Sequence, residues 1–175
     1  MIIEKKISQG FTLIETLIYI AIMGMAVSSF VLFSISVLNS RSKTYVVQEV
    51  QANARTAMDI MSRKIRASTG VNIGASTFGS DPGILSLSMA DVSKNPTIFS
   101  LNQNDGVLQI TEGLSPALFI VSDEVKITNL SFTNATGSGI RENIRIDMTV
   151  DYNNPDTDII YDYSQSLRTT IGVRQ

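Results

Sequence analysis

One apolar stretch near the N-terminus dominates the hydrophobic pattern of the chain. It covers residues 11–38, and Glu15 is its only charged residue. As a helix rising about 1.5 Å per residue, the uncharged part, residues 16–38, would be about 35 Å long, and the hydrocarbon core of a bilayer is about 30 Å thick. The pattern therefore predicts a membrane-spanning helix. It fits a secretory signal peptide poorly, because the apolar region of such a signal is typically about 7 to 15 residues long.

A second helical pattern follows directly. Between residues 39 and 68 the apolar positions recur every three or four residues, as one face of a helix requires. These positions are Val47, Val50, Ala54, Met58, Met61 and Ile65. We expect this stripe to pack against the sheet of a following domain, and we expect the helix to stop at Thr69 and Gly70.

After Gly70 the pattern changes to short runs of strand-forming residues separated by Gly, Pro, Asn and Asp. Residues 98–101 and 107–111 flank an Asn-Asp-Gly turn at residues 104–106, and this order predicts a β-hairpin. Residues 71–83 are rich in Gly and Ser and predict a loop.

Two further strands are predicted near the C-terminus. Residues 144–152 alternate strictly between apolar and polar side chains, as in a strand with one face in water. Residues 167–173 repeat this spacing, and residues 153–156 are expected to turn the chain between the two strands. The patterns together predict an α+β protein, in which a long N-terminal helix, half transmembrane and half amphipathic, packs on an antiparallel β-sheet head.

Composition narrows the chemistry that this architecture can carry. The chain contains no Cys, so it forms neither a disulfide nor a thiolate metal site. It contains no His, which removes the commonest general base and the commonest zinc ligand. No acyl-transfer or phosphate-binding motif with its companion residues is present. We therefore expect a protein that is not an enzyme and that has no cofactor.

The charge is divided unevenly along the chain. Residues 1–70 hold eight basic and four acidic side chains, whereas residues 71–175 hold six basic and twelve acidic ones. This division predicts a basic stem and an acidic head. Lys5 and Lys6 favour a cytoplasmic N-terminus, but Arg41 and Lys43 beyond the span weaken that inference, so charge alone leaves the topology open.

Glu15 needs a physical explanation, because a carboxylate near the centre of a bilayer costs several kcal/mol. No Lys or Arg lies within residues 16–38 to neutralise it. If the chain were cut before Phe11, the new α-amino group would lie about one helical turn from Glu15, at matching depth in a neighbouring copy. An intermolecular ion pair is one explanation. The other is that Glu15 lies close to the membrane surface and reaches water.

The segment KKISQG followed by FTLIETLIYIAIMG resembles the class III signal of type IV prepilins and pseudopilins. The resemblance implies that a prepilin peptidase cuts after Gly10 and methylates the exposed residue, Phe11. It further implies that Glu15 pairs with the N-terminal amine of a neighbouring subunit during assembly. Gly24 also matches a frequent position of the family.

Other features of the resemblance favour a minor subunit of the J type. Leu32 stands where many major pilins have Pro, and the segments ARTAMDIMSRKIRAS and SQSLRTTIGVRQ are similar to segments of J-type members. The resemblance implies the pilin fold. It divides the chain into a leader peptide (1–10), a transmembrane and filament-core helix (11–38), an amphipathic stem helix (39–70) and a β-rich head (71–175).

The function implied is that of a structural subunit of a type II secretion pseudopilus or a type IV pilus-like filament, including one for DNA uptake. The implied partners are prepilin peptidase, other pilins through the N-terminal helix, the inner-membrane assembly platform and membrane lipid. The implied location is the inner membrane, with a short cytoplasmic N-terminus and an extracytoplasmic head, and then a periplasmic or cell-surface filament. The alternative is a signal-anchored envelope protein whose head binds a ligand or performs catalysis without any filament.

One acidic segment is a weak candidate for a calcium site. It supplies oxygen ligands from Asp151, Asn153, Asp156 and Asp158. The spacing lacks the Gly and the terminal Glu of an EF-hand loop, and the pattern favours a solvated turn.

One basic segment is a weak candidate for a nucleic-acid contact in a DNA-uptake system. It contains Arg55, Arg63, Lys64 and Arg66. No aromatic residues are interleaved with these cations, so the pattern favours a solvated helix face or one that pairs with the acidic heads of neighbouring subunits.

Overall fold

The structure, a computed structural model, describes residues 10–102, 104–137, 142–154 and 159–174. The chain forms two compact units that divide between Arg41 and Ser42. One helix, α1 (Leu13–Ala67), contributes to both units. It contains no Pro, and Gly24 is its only Gly, so nothing in its sequence interrupts the backbone hydrogen bonds.

The first unit contains the apolar part of α1. Its large apolar side chains are exposed, as Phe30 and Leu32 illustrate at 69% and 68%. This segment is long and apolar enough to cross a membrane. Several Ser hydroxyls along it, including that of Ser28, donate hydrogen bonds to the carbonyl four residues earlier and so avoid presenting free polar groups.

In the described residues, the second unit contains eight antiparallel strands in two sheets. The larger sheet has the order β1-β2-β3-β4-β5, and the smaller has the order β6-β7-β8. The strands are β1 (Gly70–Val71), β2 (Leu85–Ser88), β3 (Thr97–Asn102), β4 (Val107–Glu112), β5 (Leu118–Phe119), β6 (Val125–Asn134), β7 (Asn143–Tyr152) and β8 (Ser164–Gly172). The prediction of an α+β protein with a long N-terminal helix and an antiparallel head is confirmed, with two sheets in that head.

The second half of α1 packs onto these sheets. One face of the helix supplies the fully buried side chains of Val46, Val50, Ala54, Ala57, Met61 and Ile65. All of these except Val46 join one core with apolar residues of both sheets, among them Leu85, Phe99, Leu108, Phe132, Ile144 and Met148. The predicted packing of the stripe is confirmed. The buried face of the helix is rotated slightly from the predicted stripe. Val46 and Ala57 are fully buried, whereas Val47 and Met58, which the prediction placed in the stripe, are only partly buried.

The end of α1 differs from the prediction by a few residues. The helix ends at Ala67, because the backbone and the hydroxyl of Ser68 both donate to the Ile65 carbonyl. Thr69 N–H donates to the Ser88 carbonyl at 2.8 Å, and Gly70 already belongs to β1. Gly70 and Val71 form the short strand β1, so the expected helix stop at Gly70 and the expected start of a loop at Val71 are both wrong.

The predicted hairpin is confirmed by β3 and β4. Their register runs from Thr97 opposite Glu112 to Asn102 opposite Val107. Gly106 supplies the left-handed conformation in the turn, with φ of 65°, and its N–H donates to the Asn102 carbonyl at 2.8 Å. The alternation in β7 is also confirmed, since every second residue from Ile144 to Val150 is buried. Of the predicted turn at residues 153–156, the last two residues lie outside the described ranges.

A polar cluster joins α1 to the linker between the two sheets. Tyr45 donates a 2.6 Å hydrogen bond to Glu124 Oε2, and this bond, with smaller contributions from desolvation and nearby carboxylates, raises the pKa of Tyr45 to about 12. Asn53 Oδ1 accepts the N–H of Ser122 at 2.9 Å. Glu49 Oε1 accepts the amide of Asn53 and the hydroxyl of Ser122. These contacts fix the linker to one side of the helix.

Candidate functional site

The predicted cleavage junction lies immediately before α1. Gly10, Phe11 and Thr12 have no regular secondary structure, and α1 begins at Leu13. Phe11 is 72% exposed, and a side chain built on Gly10 would meet no other atom within 4 Å. The Gly10–Phe11 peptide bond is therefore accessible and outside the helix, which are the two conditions that an attacking peptidase needs.

Thr12 determines where the helix begins. Its Oγ1 accepts a hydrogen bond from the Glu15 N–H at 3.3 Å, and its carbonyl accepts from the N–H groups of Glu15 and Thr16. Thr12 is thus the N-cap, and Thr-x-x-Glu over residues 12–15 has the sequence of a capping box. The cap keeps the two residues before it, Gly10 and Phe11, out of the helix.

Glu15 lies in the first turn of α1 and is only partly exposed. Its Oε1 accepts a hydrogen bond from the Tyr19 hydroxyl at 3.5 Å, the long limit for such a bond. The Phe11 ring lies edge-on to the Tyr19 ring, with centroids 6.0 Å apart and an interplanar angle of 72°. Tyr19 therefore contacts both Phe11 and Glu15.

Glu15 lies beside the N-terminal end of the helix dipole. The N-terminus of a helix carries a partial positive charge, which stabilises a nearby carboxylate by about 0.3 to 1 kcal/mol at an exposed site. Among the residues that the structure describes, no Lys or Arg forms an ion pair with Glu15. The carboxylate is thus available for a cation from outside this segment.

Comparison with known proteins supports the same region. The N-terminal part of the chain matches the family described as the prokaryotic N-terminal methylation motif over residues 5–31. The matched motif and the long apolar helix indicate a membrane-anchored, pilin-like protein of the kind that prepilin peptidase processes, and such proteins are generally structural. Neither the comparison with curated proteins nor the comparison with solved structures found a match.

Sequence reasoning named three residues of this site and missed two. Gly10, Phe11 and Glu15 all lie within the exposed segment and the first helical turn. Thr12 and Tyr19 were not singled out. The capping-box spacing was a signal that could have identified Thr12. Tyr19 lies four residues after Glu15, so helical spacing places these two residues on one side of α1.

The acidic candidate for a calcium site gains no support from the described residues. Asp156 and Asp158 lie outside them. Asn153 has a structural role, because its backbone and side-chain N–H groups donate to the carbonyls of Glu124 and Asp123. No group of three potential acidic, His or Cys ligands occurs in the described part of the chain.

The basic candidate is partly occupied by ion pairs within the chain. Arg63 lies 3.1 Å from Asp59 on the same helix, and Lys64 pairs with Glu112 of β4. The Lys64 pair joins α1 to the larger sheet and has a structural role. Two of the four cations in the predicted patch therefore bind carboxylates of this chain.

Proposed function

We propose that this chain is a structural minor pilin or minor pseudopilin. In this proposal it is cleaved between Gly10 and Phe11, methylated at Phe11, and assembled into a filament through the apolar helix of residues 11–38. The observation that carries the proposal is the exposed, non-helical junction directly before a capped apolar helix, within a matched methylation motif. Type II secretion, type IV pili and DNA uptake share this machinery, and the proposal covers all three.

Cleavage creates the cation that the apolar segment lacks. Hydrolysis of the Gly10–Phe11 bond releases an α-amino group on Phe11, and such groups have a pKa of about 7.7 to 8.0, so most are protonated at neutral pH. A positive charge beside the N-terminus of its own helix is unfavourable, because it meets the positive end of the helix dipole. A carboxylate at matching depth in a neighbouring subunit removes this penalty.

Glu15 is the residue that supplies that carboxylate. Glu15 lies in the first turn of α1, about one turn from Phe11. Its carboxylate accepts the hydrogen bond of the Tyr19 hydroxyl. In an apolar surrounding an ion pair is far stronger than in water, so pairing between neighbours both drives docking and fixes the axial offset between helices. Prepilin peptidase, the other subunits of the filament and the inner-membrane assembly platform are the partners that this function requires.

Three features support a minor subunit over a major one. Leu32 lies within an uninterrupted helix, at the position where many major pilins have a Pro. The head has two antiparallel sheets of five and three strands, and its amphipathic stem segment contributes to their shared core. The J-like similarity of residues 54–68 and 164–175 points in the same direction.

The test is the N-terminus of the mature protein. Mass spectrometry of the full-length chain, expressed in its own host and extracted from membranes, should show a new N-terminus at N-methylated Phe11. Gly10→Val should block this processing, because a branched side chain directly before the cut would crowd the peptidase, although it meets no atom of this chain. Gly24→Val is the matched control and should be cleaved normally. A wild-type protein that keeps Met1 would contradict the proposal and favour the signal-anchored alternative.

A further inference from the structure

The strand β8 has one long edge without a partner in the part of the chain that the structure describes. It pairs with β7 along nine residues, and it is the last strand of its sheet. Edge strands are usually protected by Pro, charged side chains such as Lys, a bulge, a short length, or a helix or loop that covers them. The sequence of β8, SQSLRTTIG, contains neither Pro nor Lys, and its register with β7 is continuous. The edge is therefore long and regular, and no strand among the described residues pairs with it, although the Ser166 carbonyl accepts a hydrogen bond from the Gln165 side-chain amide at 3.3 Å.

The hydrogen bonds at the two ends of β8 show which backbone groups face outward. Tyr152 N–H donates to the Tyr163 carbonyl at 3.1 Å, and Val173 N–H donates to the Glu142 carbonyl at 2.8 Å. Hydrogen-bonded pairs alternate in an antiparallel ladder, so the odd-numbered residues of β8 bond to β7. The N–H and C=O groups of the even-numbered residues point away from β7. These residues are Ser164, Ser166, Arg168, Thr170 and Gly172.

The charged cluster around Arg168 contains two cations and one anion and is therefore net positive, although Asp151 lies opposite Ser164 at one end of the strand pair. Arg168 is the only charged residue of β8, and its guanidinium binds Asp147 across the strand pair. Arg145 also lies 3.4 Å from the other oxygen of Asp147. Two guanidinium groups thus share one carboxylate on the outer face of the sheet. The Asp147 contact also holds the Arg168 side chain over that face, so Arg168 does not cover the edge.

We propose that the edge of β8 binds an extended strand from a different polypeptide that carries Asp or Glu opposite Arg168. Backbone pairing with the outward groups would provide affinity, as in other cases where a strand is added to a sheet. The acidic residue of the added strand would pair with Arg168, which already pairs with Asp147 on its other side. This proposal does not depend on the filament role of the chain.

The charge pattern also distinguishes the partner from a second copy. β8 contains no acidic residue, so two β8 edges would place Arg168 opposite another Arg168 or opposite an uncharged side chain. Opposite charges across a strand pair are stabilising, and like charges directly opposite are destabilising. The inner side of the edge includes Leu167, which is only partly buried. An apolar residue of the added strand would cover it.

The test uses two nine-residue peptides and the full-length chain in detergent. One peptide alternates Thr and Val with a central Glu, and the matched peptide has a central Lys. The Glu peptide should slow hydrogen exchange of the outward N–H groups of β8, and by fluorescence anisotropy it should bind about fivefold more tightly than the Lys peptide. Arg168→Glu should reverse this preference.

A second pair of variants tests the backbone contact. Thr170→Pro removes one outward N–H and should weaken peptide binding by about tenfold. Thr170→Ala keeps the N–H and should bind like the wild type, and circular dichroism should show the same strand content for both. The proposal is overturned if neither peptide binds or if Thr170→Pro binds unchanged. The proposal is also overturned if, without any peptide, the protection of the β8 N–H groups against hydrogen exchange rises with protein concentration. That result would assign the edge to a second copy of the chain.

Discussion

At the scale of single residues, a substitution at Glu15 tests whether cleavage and filament assembly depend on different properties of the chain. We predict that Glu15→Ala leaves cleavage at Phe11 intact but prevents incorporation into filaments, because the amine of a neighbour then meets no carboxylate in the apolar segment. Incorporation is measured by shearing filaments from cells and immunoblotting for the subunit. Ile14→Ala is the matched control, since this exposed neighbour carries no charge.

The control should enter filaments at a level close to that of the wild type. Normal incorporation of Glu15→Ala would disprove the ion pair and support the other explanation, in which the carboxylate simply reaches water. An intermediate test is Glu15→Gln, which keeps the shape and a hydrogen-bond acceptor for Tyr19. If charge is the essential property, this variant should be as defective as the alanine variant.

At the scale of the elements, the turn after β4 depends on a glycine. Gly113 has a φ of 57°, and a Cβ at this position would lie 2.2 Å from the Ser93 carbonyl oxygen. Gly79 also has a positive φ, of 72°, but a Cβ there would meet no atom within 4 Å. A comparison of substitutions at these two glycines therefore distinguishes the cost of the left-handed backbone, which applies to both, from the cost of the steric contact, which applies only to Gly113.

We predict that both glycines lose stability on substitution by alanine, and that Gly113→Ala loses clearly more. The left-handed conformation costs about 1 to 2 kcal/mol for a residue with a Cβ, and this applies to both positions. The contact with Ser93 adds to it only at Gly113, since the backbone of the neighbouring turn must move. Denaturant unfolding of the full-length chain in detergent, followed by the strand signal in circular dichroism, measures the difference. Equal losses would show that the turn adjusts freely.

At the scale of the whole globular unit, Tyr45 joins the helix to the linker between the sheets. Because its hydrogen bond to Glu124 raises the pKa of Tyr45 to about 12, from an ordinary value of about 10, the bond stabilises the folded state fully below about pH 10. This contribution is lost as the pH rises through about 12. The sign follows from the raised pKa, since the unfolded chain releases the phenol proton first.

We predict that Glu124→Gln lowers the pKa of Tyr45 toward its ordinary value, because the acceptor is then neutral. The titration is followed by NMR of tyrosines labelled at the ring carbon that bears the hydroxyl, and Tyr45→Phe assigns the signal. Glu112→Gln is the control and should leave the pKa of Tyr45 unchanged, since Glu112 pairs with Lys64. A shift of similar size in the control would show that general charge, and not the hydrogen bond, raises the pKa.

Some strands could not be identified from the sequence. Residues 125–134 were not singled out, although they form the long strand β6. A register shift between Ile127 and Asn129 interrupts its alternation, so the period of two is broken inside the strand. The strands β1 and β5 have only two residues each, and such short elements exist only because a neighbouring strand offers hydrogen bonds.

Features that depend on local order along the chain could be predicted from the residues alone. These are the apolar helix, the proposed junction between Gly10 and Phe11, the lone carboxylate of Glu15 and the turn that ends in Gly106. Each depends on residues within a few positions of one another, where helical or turn geometry follows directly from spacing.

Contacts between residues far apart in the chain became visible only in the folded structure. It buried Val46 and Ala57 in place of Val47 and Met58, because burial depends on how the helix is rotated against the sheets, and hydropathy alone does not distinguish Val46 from Val47. It also divided the strands into two sheets and left the edge of β8 open. Strand partners are chosen by packing and hydrogen bonding between segments far apart in sequence, and no local pattern records that choice.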